Sequence, residues 1–96
     1  MARGRKDSRA VAVRFGKNLY RCRKASGPSQ EELAFLAALH RTEIGLLERG
    51  ERVPRVDTLV RLAVALGVPP GRLLEGIGWE LPSTSTGEMT VDPQDD

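Results

Sequence analysis

The chain has 96 residues, 29% of them charged, a formal net charge of +2 and a single cysteine. That length holds one domain with a modest core and leaves no room for a deep catalytic cleft with its scaffold. One cysteine excludes an internal disulfide, one histidine excludes the usual zinc-ligand clusters, and no run approaches the roughly 18 apolar residues of a membrane span. The opening MARGRKDSRAVAV lacks a signal-peptide apolar run. The expectation is a cytoplasmic protein with no metal, no cofactor and no membrane partner.

The small net charge conceals a gradient. Residues 1–30 hold nine Lys/Arg against the lone acid Asp7, a net of +8. Residues 31–76 hold six bases against seven acids, a net of −1, and residues 77–96 hold five acids and no base, a net of −5. A basic beginning beside a near-neutral middle points to a polyanionic partner. With only four aromatic residues (Phe15, Tyr20, Phe35, Trp79), the interior has to be filled by Leu, Val and Ala.

Residues 1–9 are polar, basic and without period, which predicts a flexible basic arm. There Arg3, Arg5 and Lys6 either solubilise the chain or follow a nucleic-acid backbone or minor groove. A first helix is predicted over Ala10–Ala25, where Phe15, Leu19 and Cys22 recur at i, i+4, i+7 and Gly27 is the breaker. Cys22 reads most simply as a small buried apolar residue. Ser29 followed three residues later by Glu32 is a capping box, and Leu33, Leu36 and Ala37 then form one apolar face.

After a break at Ala38–Leu39–His40, Ile44 and Leu47 give a second apolar stripe. The opposite face carries Arg41, Thr42, Gly45 and Leu46, which have no core to meet. Two short helices joined by a tight turn, the second with its outer face free, can set a helix in a DNA major groove. Gly50 ends that helix and Pro54 forbids an early restart. A fourth helix is signalled by Asp57 and by Val56, Leu59, Val60, Leu62, Ala63 and Leu66, with Gly67 as its stop. A short fifth begins near Pro69–Pro70, packs Leu73 and Leu74 and closes at Gly76. The small, polar, acidic run after Leu81 predicts disorder. No strand alternation and no internal repeat stand out. The domain boundaries are an arm over 1–9, a helical domain over 10–79 and an acidic tail over 80–96.

The segments FGKNLYRCRK, SQEELAFLAALHRTEI, LLERGERVP and DTLVRLAVALGV together resemble the Cro and phage-repressor (XRE-type) helix-turn-helix family, over residues 15–76. The resemblance implies an all-α, compact five-helix lambda-repressor-like domain that binds double-stranded operator DNA as a homodimer and regulates transcription. It implies base-facing positions at Arg41, Thr42, Gly45 and Leu46, and a phosphate contact from Gln30. It also implies a partly buried ion pair between Arg23 and Glu48 that ties the first helix to the third. Arg52 and Arg55 fall in the family's phosphate-facing loop. His40, at the cap of the third helix, either accepts a backbone N–H or meets a phosphate.

Several residues depart from the family pattern. Ala38 stands where the turn favours Gly, at a cost of about 1 kcal/mol if the backbone is left-handed. Gly45 sits in mid-helix, and Leu46 replaces a polar residue, so base readout leans on Arg41 and on thymine methyls. Phe35 either pads the first helix or touches a partner. Trp79 either lids the core or joins a dimer interface with Val60, Val64, Leu74 and Ile77. The rival reading is a protein-interaction module, an antitoxin or regulatory partner, working through Phe35, Leu46 and the tail. No nucleophilic or acid–base set is assembled from one His, one Cys and no convergent carboxylate pair, so an enzyme is not expected.

Overall fold

The computed structural model describes residues 2–80 and 88–92. Five helices, α1 Ala2–Ser26, α2 Gln30–Ala37, α3 Arg41–Glu48, α4 Val56–Leu66 and α5 Pro70–Leu73, precede two short strands, β1 Ile77–Glu80 and β2 Glu88–Val91. The predicted all-α architecture holds, with the small sheet as an addition. Phe15 and Leu19 from α1, Leu33 from α2, Ile44 and Leu47 from α3, Leu62 from α4 and Leu73 from α5 are fully buried in one core. Each helix thus hides one stripe and leaves the rest to water.

Local signals set most helix ends. The Ser29 hydroxyl accepts from the Glu32 N–H at 3.0 Å, while the Ser29 N–H donates to the Glu32 carboxylate at 2.8 Å. Gly67 takes a left-handed conformation after α4, with φ 71° and ψ 29°. Asn18, buried on α1, donates its amide to the carbonyls of Leu73 at 3.0 Å and Glu75 at 2.9 Å. It satisfies backbone acceptors at the end of α5 that the helix leaves unpaired.

Three expectations are corrected. The basic segment 1–9 is helical from Ala2 onward, because Ala, Arg and Lys are good helix formers and can extend a helix already nucleated by packing. Part of the tail is ordered, since β2 pairs antiparallel with β1 in the register Ile77↔Val91, Gly78↔Thr90, Trp79↔Met89 and Glu80↔Glu88. Residues 81–87 and 93–96 of the predicted tail lie outside the described residues. Leu36 is exposed, because the core side of α2 is centred on Leu33, Ala34 and Ala37. Val56, Val60 and Val64 form an exposed stripe on α4, which buries Thr58, Leu62, Ala63 and Leu66.

The hairpin is fastened to α1 by Arg14, which donates to the carbonyls of Glu75 at 3.1 Å and Asp92 at 3.2 Å, just before β1 and just after β2 at the same open end of the hairpin. Trp79 is therefore neither a core lid nor buried. It sits opposite Met89 with about half its surface open.

Where α1 crosses α3 the approach is close. A Cβ at Gly16 would strike the Leu47 carbonyl and come within 2.8 Å of the Glu48 carbonyl oxygen. Only a glycine lets the C-terminal end of α3 rest directly on α1.

Candidate nucleic-acid interface

The turn between α2 and α3 rests on Ala38, at φ 57° and ψ 45° the one non-glycine residue with positive φ among the described residues. The Ala38 N–H donates to Phe35 at 3.2 Å and the Leu39 N–H to Ala34 at 2.8 Å, which closes α2 and redirects the chain. The left-handed alanine retains a strain of about 1–2 kcal/mol.

Three contacts lock α3 from within. Ile44 and Leu47 are fully buried. Arg23 of α1 grips Glu48 with two prongs, Nε to Oε2 at 2.6 Å and Nη2 to Oε1 at 3.1 Å. Gln30, at the first position of α2, donates its amide to Glu48 Oε1 at 2.9 Å. Arg23 also donates to the Pro28 carbonyl at 3.2 Å and stacks its guanidinium over Tyr20, 5.5 Å from the ring centre. Glu48 thereby joins α1, α2 and α3 at one point. Its hydrogen bonds raise the Arg23 pKa against the lowering effect of burial, and the charge of Glu48 adds to the rise.

The outer face of α3 is differently built. Arg41 and Thr42 are exposed at its start, Leu46 is half-buried, and Glu43 lies at the edge. Gly45 does not present an open surface as expected. It is buried because the Arg49 guanidinium, one turn on, fills the space its missing side chain leaves, with Nη1 2.9 Å from where a Cβ would stand. Arg49 thus extends the row of Arg41 and Gly45 at i, i+4, i+8, a role that no spacing argument had assigned it. His40 is exposed at the N-cap of α3 but makes no side-chain cap bond, so the capping role anticipated for its ring is absent.

The arginines after α3 are paired with nearby acids. Arg52 meets Glu43 of α3 at 2.6 Å, Arg49 meets Glu51 at 2.8 Å and Arg55 meets Asp57 at 3.2 Å. These pairs are exposed, so each contributes little and a phosphate oxygen can replace the carboxylate. On α2, Phe35 is 83% exposed and does not pad α1. Cys22 is a buried free thiol. No helix among the described residues is long and apolar enough to cross a membrane.

A capped helix, a left-handed turn and a second helix, held from inside and open outside, define a helix-turn-helix module. The model of the helix-turn-helix family matches residues 19–73, and the chain belongs to that family. It is a DNA-binding regulator of transcription. It is 41% identical to the control protein C.BamHI of Bacillus amyloliquefaciens, over 68% of this chain and 82% of that protein. It is 37% identical to the prophage-derived regulator YonR of Bacillus subtilis, over 65% of this chain and 57% of that one. Among solved structures, the restriction-modification controller C.AhdI of Aeromonas hydrophila superimposes with a TM-score of 0.63 at 44% identity, covering 65% of this chain and 94% of that one.

Proposed function

We propose that this chain is a sequence-specific regulator that binds double-stranded DNA as a homodimer, with α3 in the major groove of each half-site. The observation that carries the reading is the division of α3 into an inner face locked at Glu48 and an outer face opened at Arg41 and Thr42. A recognition helix needs both, because a base contact discriminates only when its backbone is fixed. Arg41 is suited to a two-pronged contact with guanine O6 and N7, worth about 1–3 kcal/mol against another base. Thr42 and Leu46 offer a hydroxyl and an apolar edge to neighbouring bases.

Gln30 spends one amide hydrogen on Glu48 and keeps a second for a phosphate. His40, Arg52 and Arg55 supply further backbone contacts around it. The exposed stripe of Val56, Val60 and Val64 on α4, with Leu74 and Trp79, offers the apolar area for a two-fold dimer. The protein acts in the cytoplasm as a binding protein without catalysis. Its likeness to restriction-modification controllers makes the promoters of such genes the first place to seek its operator.

The test is selection of bound fragments from genomic DNA by purified protein at near-physiological salt. A two-fold motif is expected, and Arg41→Ala should lose it while keeping salt-dependent binding to any duplex. Failure to recover a motif would overturn this reading and favour a protein-binding module centred on the exposed Phe35.

A further inference from the structure

The N-terminal half of α1 lies beside the loop between α3 and α4, and the two enclose a cleft of about 500 Å³. We propose that this cleft is a second DNA-backbone site, in which Arg9, Arg49 and Arg52 hold a phosphate that flanks the segment read by α3. The inference rests on the DNA-binding reading and names a contact beyond it.

Three features build the site. Arg9 and Ser8 stand on the α1 wall, and Arg49 and Arg52 on the loop wall, against one lining carboxylate, Glu51. Three arginines lining one cleft suit an anion with several oxygens, which the planar donor fork of arginine matches. Gly50 lines the cleft at φ 73°, and a Cβ there would lie 3.0 Å from the Val13 backbone, so a side chain would push the two walls apart.

The cleft also continues the recognition face. Arg49 covers Gly45 on the outer side of α3 and lines the cleft as well. A duplex lying along Arg41, Thr42 and Leu46 would therefore carry its backbone past the cleft at the C-terminal end of α3. The carboxylates now holding Arg49 and Arg52 are in exposed pairs, with Glu51 51% and Glu43 23% accessible. Exchange for a phosphate loses little.

Arg9 precedes the residues 19–73 that the family model matches. The helix continues from it to Ala2 and carries Arg3, Arg5 and Lys6 in the turns before it. A base on α1 beside the loop, Arg9, lengthens the electrostatic footprint without adding base readout.

The experiment compares full-length protein with Arg9→Gln, Arg9→Lys and Arg41→Ala, on a selected site and on an unrelated duplex, over a salt series. Arg9→Gln is expected to weaken both duplexes equally. It should also flatten the log–log salt dependence by about 0.9 unit, so that affinity falls roughly 3.5-fold less between 50 and 200 mM salt. Its hydroxyl-radical footprint should shorten at the flank. Arg9→Lys should retain most of the slope, and circular dichroism checks that each variant is folded. A wild-type slope and footprint in Arg9→Gln, with the selected motif intact, would overturn the second site and leave the DNA reading standing. No salt-dependent duplex binding by the unaltered protein would overturn both.

Discussion

Arg23–Glu48 and Arg52–Glu43 join an arginine to a carboxylate of α3 at the same 2.6 Å, yet they lie at opposite kinds of place. The first pair is 10% and 6% exposed and the second 53% and 23%. Distance does not separate them; water does. Inside, each charge has lost its hydration and depends on its partner, so the pair fixes where α3 sits without being a large net source of stability. Outside, water competes for both groups and the pair can open for a phosphate. One helix thus carries a rigid root and an exchangeable edge, the combination a DNA reader requires.

The largest effect should come from breaking the root. Glu48→Ala leaves the Arg23 guanidinium buried and unpaired and strands the Gln30 amide, so a loss of about 3–5 kcal/mol is expected in denaturant unfolding. A drop under 1 kcal/mol would place the root in the same class as the edge. Raising the pH should leave the pair alone. Arg23 has its pKa raised on folding, so its contribution is complete below the unfolded value and disappears only as pH climbs past the folded one, both far above neutrality.

Next in size is Gly16→Ala, which tests the same root without altering any charge. The new Cβ meets backbone carbonyls at the end of α3, so α1 and α3 must part, and overpacking of this kind costs about 1–3 kcal/mol. DNA preference should fall together with the unfolding midpoint, since the same shift moves Arg41. A variant of full stability that binds as before would show that the crossing tolerates separation.

The root and the edge were not equally legible in the sequence. Helix boundaries around α2 and α3 follow from signals within three or four residues, the Ser29–Glu32 box, the break at Ala38–Leu39–His40 and the Gly50 stop, while the left-handed turn at 38 is implied by the family resemblance alone. Arg23 and Glu48 are 25 residues apart, and nothing in periodicity joins them; they were paired through family resemblance. Gly45 was misread because an open face was inferred from the absence of core, whereas a long arginine four residues on folds back over it. The hairpin escaped because each strand has four residues, too few for alternation to stand out, and strand pairing is a non-local contact. The helical start of α1 escaped for the opposite reason: a helix extended from a packed segment needs no apolar stripe of its own.

The smallest expected effect sharpens the comparison from the exposed side. Glu43→Gln removes the carboxylate that holds Arg52, and at such accessibility stability should change by less than about 1 kcal/mol, read as a thermal midpoint nearly unmoved. DNA affinity should rise, because a negative charge facing the phosphates is gone and Arg52 no longer has to leave a partner to reach them. The gain should be greatest at low salt and shrink as screening increases. A fall in affinity would mean that Glu43 positions Arg52 for the backbone much as Glu48 is held by Arg23. The edge would then be a second root, and exposure alone would no longer separate a positioning pair from an exchangeable one.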